Sequence, residues 1–228
     1  MRGIVFIGGT GPEGGELKVI AHGAELLVAA DSGLVSAERA GLKPHWVVGD
    51  MDSLPDLGLL KKYNPDRVLV FPPEKDLSDT ELALNLCREK GCDEIWLAGG
   101  GSGRMDHLFA IYSLFEREDS PDRWFPGSVS SPGNTVSLGN CEIRCLKEGG
   151  SLGAELPSQS LISVLPLGKG PWEAESSGLK WPLNDLNWER GVVSLSNVAL
   201  DGSLAIHSIK GRFLVIMPMV PVNFLGRE

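Results

Sequence analysis

Apolar positions in the first half of the chain fall into short strand-length runs, each followed by glycine, proline or aspartate. Gly3 to Ile7, Leu26 to Ala30, Trp46 to Val48, Arg67 to Phe71 and Glu94 to Ala98 are such runs. Helical spacing lies between them: Val35 to Ala40 closed by Gly41, and residues 55–62 with Leu57, Leu59 and Leu60. A further helix should run from Ser78 to about Lys90, because Ser78 with Glu81 three residues later is a capping box. Another should cover roughly 105–117. This alternation of strand, turn and helix predicts a largely parallel sheet covered by helices.

The pattern changes after about Asp119. Residues 119–133 are rich in proline, glycine and serine around one apolar patch, Trp124-Phe125, which suggests a final edge strand and a linker. Beyond Asn134 the period becomes two, in the segments 135–138, 142–146, 161–165, 178–183, 192–196, 204–208 and 212–217. Glycine and proline turns separate most of them, which predicts an antiparallel sandwich or barrel. About 95 residues make a small domain, so it should lean on the first domain or on a partner chain.

The candidate chemistry lies where the parallel strands end. Asp31 follows the second run, Asp50 and Asp52 the third, Asp76 the fourth and Asp106 the fifth. The carboxyl ends of parallel strands share one rim, so these carboxylates can converge there. Two positions apart in an extended segment, Asp50 and Asp52 should face the same cleft. Close carboxylates repel, and a hard cation such as Mg2+ carrying substrate phosphates would relieve the repulsion. Asp79 falls in the first turn of the capped helix, where the dipole favours a carboxylate with or without a functional role. Gly8 to Gly15 and Gly99 to Gly103 are glycine-rich loops after strands; neither matches a Walker A pattern. Such loops let backbone N–H groups approach a phosphate. Ser102, Gly103 and Arg104 mark the second loop as an anion site, with the Arg104 guanidinium as a fork for phosphate. Lys18 lies within reach of the first loop. His107, next to Asp106 on a helix, points elsewhere. Metal-assisted phosphate chemistry fits these groups better than covalent catalysis, though kinase, nucleotidyltransferase and phosphohydrolase all remain open. In the second half, Trp172, Trp181 and Trp188 are core residues or a platform for an aromatic ligand, and Ser194, Ser196 and Asn197 close a strand and can supply polar contacts.

Composition narrows the partners. The 228 residues carry a formal charge of −9, with 42% hydrophobic residues, which describes a globular chain ill-suited to nucleic acid or anionic lipid. No secretion signal opens the sequence, and the run 213–222 contains Pro218 and Pro221, so a cytoplasmic protein with no membrane partner is expected. The four cysteines lack metal-ligand spacing and read as structural.

Taken together, the motifs resemble the thiamine pyrophosphokinase family. The resemblance rests on Ala30-Asp31-Ser32-Gly33, Gly49-Asp50-Met51-Asp52-Ser53, Lys75 through Glu81, Gly100 through His107, Ser177 through Leu183 and Val193 through Asn197. They follow the family's order and spacing over nearly the whole chain; Ser32 stands where glycine is commoner. The resemblance implies a Rossmann-like α/β domain over 1–129 that binds ATP and Mg2+. It implies a jelly-roll-like β-sandwich over 130–228 that binds thiamine and dimerises. It further implies transfer of diphosphate from ATP to the thiamine hydroxyl, leaving AMP, in a homodimer whose sites lie between subunits. Carried over, Asp50, Asp52, Asp76 and Asp106 would hold metal and phosphates or orient the hydroxyl, with Asp31 and Asp79 nearby. Arg104, Ser102 and Gly103 would contact the nucleotide, while Trp181, Ser196 and Asn197 would line the thiamine pocket. The alternative within this machinery is another heteroaromatic alcohol, such as a hydroxymethylpterin; a non-catalytic ligand-binding regulator is the third reading.

Overall fold

In the computed structural model, residues 1–102, 105–129, 138–200 and 202–219 are described. The aliphatic runs form β1 (Arg2–Phe6), β2 (Leu26–Ala30), β3 (Trp46–Gly49), β4 (Val68–Val70) and β5 (Glu94–Ala98), followed by β6 (Arg123–Val129). All six lie parallel in the order β4-β3-β2-β1-β5-β6. The chain builds outward from β1 in one direction, then crosses back to place β5 on the other side. That reversal leaves a crevice between the carboxyl ends of β1 and β5, where open α/β sheets bind ligands.

Helices cover both faces: α1 (Gly14–Ala21), α2 (Gly33–Arg39), α3 (Asp79–Glu89) and α4 (Met105–Phe115). Ala83, Leu84 and Cys87 of α3 pack on Val5, Val28, Val48 and Leu97, the stripe expected of a helix lying on a sheet. On the opposite face Leu17, Ile20 and Ala37 cover Ile4, Phe6 and Phe125. Both sides of the central strands are therefore dry, which accounts for their continuous apolar character. The capping box of α3 is present, with Ser78 and Glu81 satisfying each other's backbone N–H groups.

Several expectations differ in detail. Residues 55–62 form a 3-10 helix, Leu57–Lys62, capped where the Asp56 carboxylate accepts the Gly58 N–H at 2.7 Å. Helix α1 was not foreshadowed, because glycine dominates its start and Glu13 provides no side-chain cap. β6 is no edge strand: it pairs in parallel with β5 and antiparallel with β7 (Leu138–Leu146).

That second pairing joins the two halves. β7 continues the sheet into β13 (Arg212–Pro218), β9 (Leu161–Leu167) and β11 (Ser194–Val198), so ten strands run in the order β11-β9-β13-β7-β6-β5-β1-β2-β3-β4. A three-stranded sheet of β10 (Glu173–Ser177), β12 (Gly202–Lys210) and β8 (Ser151–Leu156) stacks on the antiparallel end, making the sandwich. β10 escapes the sequence reading because its inner face carries Ala174 and Ser176 in place of large apolar residues, and β8 because only Leu152 and Leu156 mark its inner face. The expected strand over 178–183 is reduced to a bridge between Leu179 and Ala199, followed by a 3-10 turn at Leu183–Asp185. The expected segment 135–138 lies, apart from Leu138, outside the described residues.

β13 shows why the small second half is stable. Phe213, Val215 and Met217 point into the sandwich core with Ile162, Val164 and Ile206, while Leu214 points into the α/β core. Burying each such side chain contributes roughly 1.5–3 kcal/mol. Arg212 also donates to the Glu116 and Arg117 carbonyls at 2.8 and 2.6 Å, capping the end of α4. The division at 129/130 thus falls between two strands of one sheet. All four cysteines are free. Among the described residues no helix is long and apolar enough to cross a membrane.

Candidate active site

Three carboxylates meet at the rim beyond β2 and β3. Ligand oxygens of Asp31, Asp50 and Asp79 all lie within 4.8 Å of one another. Asp31 directly follows β2 in a left-handed conformation (φ 45°), its N–H held by the Val48 carbonyl at 2.9 Å. Asp50 directly follows β3. Asp79 opens α3, where the capping box fixes its orientation. Gly49 at φ 148° makes the convergence possible, because a Cβ there would stand 3.1 Å from Asp31 Cβ and 3.2 Å from Asp79 Oδ1.

The electrostatics divide these carboxylates. Burial pushes the Asp31 carboxyl above its ordinary range, against hydrogen bonds from Ser53 and Ser32 that pull it down. Burial likewise raises Asp79, opposed by Lys75 and reinforced by the charge of Asp50. Asp50 goes the other way, because Lys75 Nζ donates to its Oδ2 at 2.7 Å. The same ammonium lies 3.2 Å from Asp79 Oδ1 as an ion pair without hydrogen-bond alignment. Asp31 Oδ1 and Asp79 Oδ1 remain buried with no hydrogen-bond partner. Buried oxygens without donors carry a free-energy cost that a ligand can remove. Hard anionic oxygens gathered in this way suit a divalent ion of the Mg2+ type.

Beside this group, the loops after β1 and β5 interlock across the crevice. The Gly101 N–H donates to the Thr10 carbonyl at 2.8 Å, the Thr10 N–H donates to Ser102 Oγ at 3.3 Å, and the two hydroxyls hydrogen-bond to each other. Trp124 Nε1 anchors the second loop through the Gly99 carbonyl at 2.7 Å. Gly99 has φ 116°, and a Cβ there would stand 2.2 Å from the Ile7 carbonyl oxygen. A Gly99→Ala variant should lose roughly 2–4 kcal/mol of stability through combined strain and backbone clash, measurable by urea unfolding.

Of the other expected aspartates, Asp52 borders the group, and Asp76 and Asp106 lie outside it. Met51 takes φ 66°, which breaks the strand alternation and leaves Asp52 exposed, yet the Asp52 carboxylate stays close enough to Asp50 and Asp31 to act on both. Its N–H donates to Asp50 Oδ1 at 3.3 Å, and its carboxylate accepts from Ser53 Oγ at 2.9 Å. Asp76 is exposed and outside the three-carboxylate group. Asp106 is exposed in the first turn of α4 and accepts the His107 N–H at 3.0 Å. Gly103 and Arg104 lie outside the described residues. Lys75 was not singled out by the sequence reading; the signal was a lone cation among Glu74, Asp76 and Asp79.

A second surface lies at the far end of the ten-stranded sheet. Trp181 is 54% exposed and borders a cleft of about 310 Å³ with Pro182, Leu186, Val193 and Leu195. Trp188, by contrast, is core against Phe213, and Trp172 bonds to the Leu167 carbonyl. Lys180 Nζ rests 4.7 Å from the centre of the Trp181 ring, so this indole face already accommodates a cation. Asn197 is 1% exposed, and both ends of its amide clasp the Trp181 backbone, at 3.2 Å to the N–H and 2.6 Å to the carbonyl. It positions the tryptophan. Ser196 is exposed with φ 53°, its N–H bonded to Ser163 Oγ at 3.2 Å.

Two family models match consecutive stretches of the chain and together span well over half of it. The model for the thiamin pyrophosphokinase catalytic domain matches residues 17–122, and that for the thiamin pyrophosphokinase vitamin B1 binding domain matches residues 141–211. The chain belongs to the thiamin pyrophosphokinase family. A relative, thiamine pyrophosphokinase of Bacillus subtilis, is 26% identical over 203 residues, covering 84% of this chain and 86% of the relative. The crystal structure of thiamine pyrophosphokinase from that organism superposes with a TM-score of 0.75 at 22% identity, over 97% of this chain and 100% of that one. Thiamin pyrophosphokinase from Candida albicans superposes at 0.66 with 15% identity, over 96% and 89% of the two chains. Within the family's two regions, the catalytic match spans Asp31, Asp50, Asp79 and the second glycine loop, while the vitamin-binding match spans Trp181 and Asn197.

Proposed function

We propose that the Asp31–Asp50–Asp79 rim and the two glycine loops hold Mg-ATP, and that Trp181 of a second subunit presents thiamine to it. The family's activity is ATP-dependent pyrophosphokinase action on thiamine. The observation that carries the site assignment is the trio of carboxylate oxygens within 4.8 Å, two of them buried without donors, beside the crevice at the strand-order reversal.

In this reading the hydroxyl of thiamine attacks the β-phosphorus of ATP. The bond between that phosphorus and the oxygen bridging to the α-phosphate breaks, AMP leaves, and the β- and γ-phosphates move together. Asp31, Asp50 and Asp79 would hold Mg2+, which would neutralise the charge on the phosphate oxygens. Backbone N–H groups of the glycine loops, the Ser102 hydroxyl and Arg104 hold the triphosphate in line. The hydroxyl proton goes to a carboxylate beside the rim that does not ligate the metal. Trp181 stacks on the cationic heterocycle, and Asn197 keeps the indole in place.

Sheet geometry argues for a homodimer. Trp181 adjoins β11, whereas Asp31 follows β2, seven strand steps away in the same sheet. At about 4.8 Å per step the two lie roughly 35 Å apart, farther than a thiamine molecule reaches. A complete site therefore needs the rim of one subunit and the indole face of another. The test is purified protein with Mg-ATP and thiamine, the products resolved by chromatography: AMP and thiamine diphosphate are expected in equal amounts. ADP as product, or AMP released only with a pterin alcohol, would overturn the reading.

A further inference from the structure

We propose that Lys75 is a built-in counter-ion, which keeps the three rim aspartates assembled before a divalent ion is bound and then passes to a phosphate of the donor. The inference rests on the reading of that rim as a metal and phosphate site, and it assigns a task to a residue outside the carboxylate set.

The geometry has the character of a placeholder. Lys75 lies on the stretch between β4 and α3, ahead of the Ser78 cap, so its proximity to Asp79 is a product of the loop and not of a helix face. Its side chain is 13% exposed, with Nζ at 2.7 Å from Asp50 Oδ2 and 3.2 Å from Asp79 Oδ1. One ammonium therefore serves two of the three carboxylates. It satisfies Asp50 and leaves Asp31 Oδ1 and Asp79 Oδ1 without hydrogen-bond donors. Repulsion is lowered enough for the rim to form, and the oxygens a divalent ion requires stay open.

The residue type suits release. An arginine would engage two carboxylates through a rigid fork, but an ammonium is a point charge on a flexible stem. Once a divalent ion satisfies the carboxylates, Nζ loses its claim on them, while the triphosphate brings new anionic oxygens to the same crevice. Rotation about the side-chain bonds moves Nζ from one set of oxygens to the other without displacing the backbone. The same lysine thus competes with a divalent ion in the nucleotide-free protein and assists the nucleotide afterwards. These effects have opposite signs, which a purely structural ion pair does not produce.

The experiment is Mn2+ binding to nucleotide-free full-length protein, followed by electron paramagnetic resonance, for wild type and Lys75→Met. The variant should bind Mn2+ about tenfold more tightly, because the competing charge is gone. Without metal its melting temperature should fall below wild type, and saturating Mn2+ should close the gap. In turnover, the KM for ATP should rise about tenfold or more, while the KM for thiamine stays unchanged. Mn2+ affinity equal to or weaker than that of wild type, in folded Lys75→Met, overturns the inference while the metal-site reading stands. No Mn2+ uptake by wild type overturns both. Should Lys75→Met fail to fold, Lys75→Arg decides: the new guanidinium fork should weaken Mn2+ binding about tenfold, and unchanged affinity overturns the inference.

Discussion

Replacing Asp31 with asparagine should nearly abolish diphosphate transfer and, in the same protein, raise the melting temperature of the metal-free form. The two effects share a cause. Asp31 is buried, its carboxyl is pushed above the ordinary range, and its Oδ1 has no donor. Near neutral pH the folded state bears the cost of keeping that charge beside Asp50 and Asp79. Asparagine removes the charge, can donate to a neighbouring carboxylate, and tolerates the left-handed backbone that Asp31 adopts. A gain of roughly 2–4 °C in melting temperature is the expected size. Turnover should fall roughly a hundredfold to a thousandfold, because a ligand to the charge-neutralising group is lost.

The pH dependence follows in sign. For Asp31 and Asp79 the folded-state midpoint lies above the ordinary 3.8, so the unfolded chain ionises first as pH rises. Their cost is in full force above the raised folded midpoint. It lessens as pH falls through that midpoint towards 3.8 and disappears below it. Asp50 behaves oppositely: its midpoint is depressed by Lys75, so its stabilising contribution is present above 3.8 and lost as pH falls through the depressed value. Metal-free Asp31→Asn should therefore show its largest advantage over wild type near neutrality and converge with it in acid. Calorimetry across that range is the measurement, and a variant destabilised at neutral pH would contradict the account.

Mixing two inactive variants should restore activity. Asp50→Asn disables the rim, and Trp181→Ala removes the stacking platform; each homodimer should retain at most a few per cent of turnover at low thiamine concentration. In a mixed dimer, the rim of the Trp181→Ala subunit faces the intact indole of the Asp50→Asn subunit, and one of two sites is whole. Random pairing makes half of the dimers mixed, so co-expressed or refolded mixtures should recover about a quarter of wild-type activity. Activity no greater than the sum of the separate variants would mean that rim and platform do not meet across subunits.

Much of this organisation was legible along the chain. Period and run length located the parallel strands, Ser78 and Glu81 announced α3, and glycine-rich loops followed β1 and β5 as expected. The aspartates lie behind strand ends as the sequence suggested, but the place of Asp79 among them was not legible. Strand alternation put Asp50 with Asp52, and the two do lie close although the left-handed Met51 leaves Asp52 exposed; Asp79, which local capping alone could explain, joins Asp31 and Asp50. Lys75 carried no periodic signal at all.

What sequence alone determines here is local: where strands and helices begin, which residues sit at their ends, and that carboxylates and glycines recur there. Those features follow from side-chain alternation, capping and backbone freedom, which depend on near neighbours. Only the tertiary structure decided which oxygens share one space, and that β6 pairs with β7 to fuse both halves into a single sheet. It also decided that Trp181 and Asp31 stand at remote positions along that sheet. Strand order and loop handedness come from contacts between residues distant in sequence, and no local pattern encodes them.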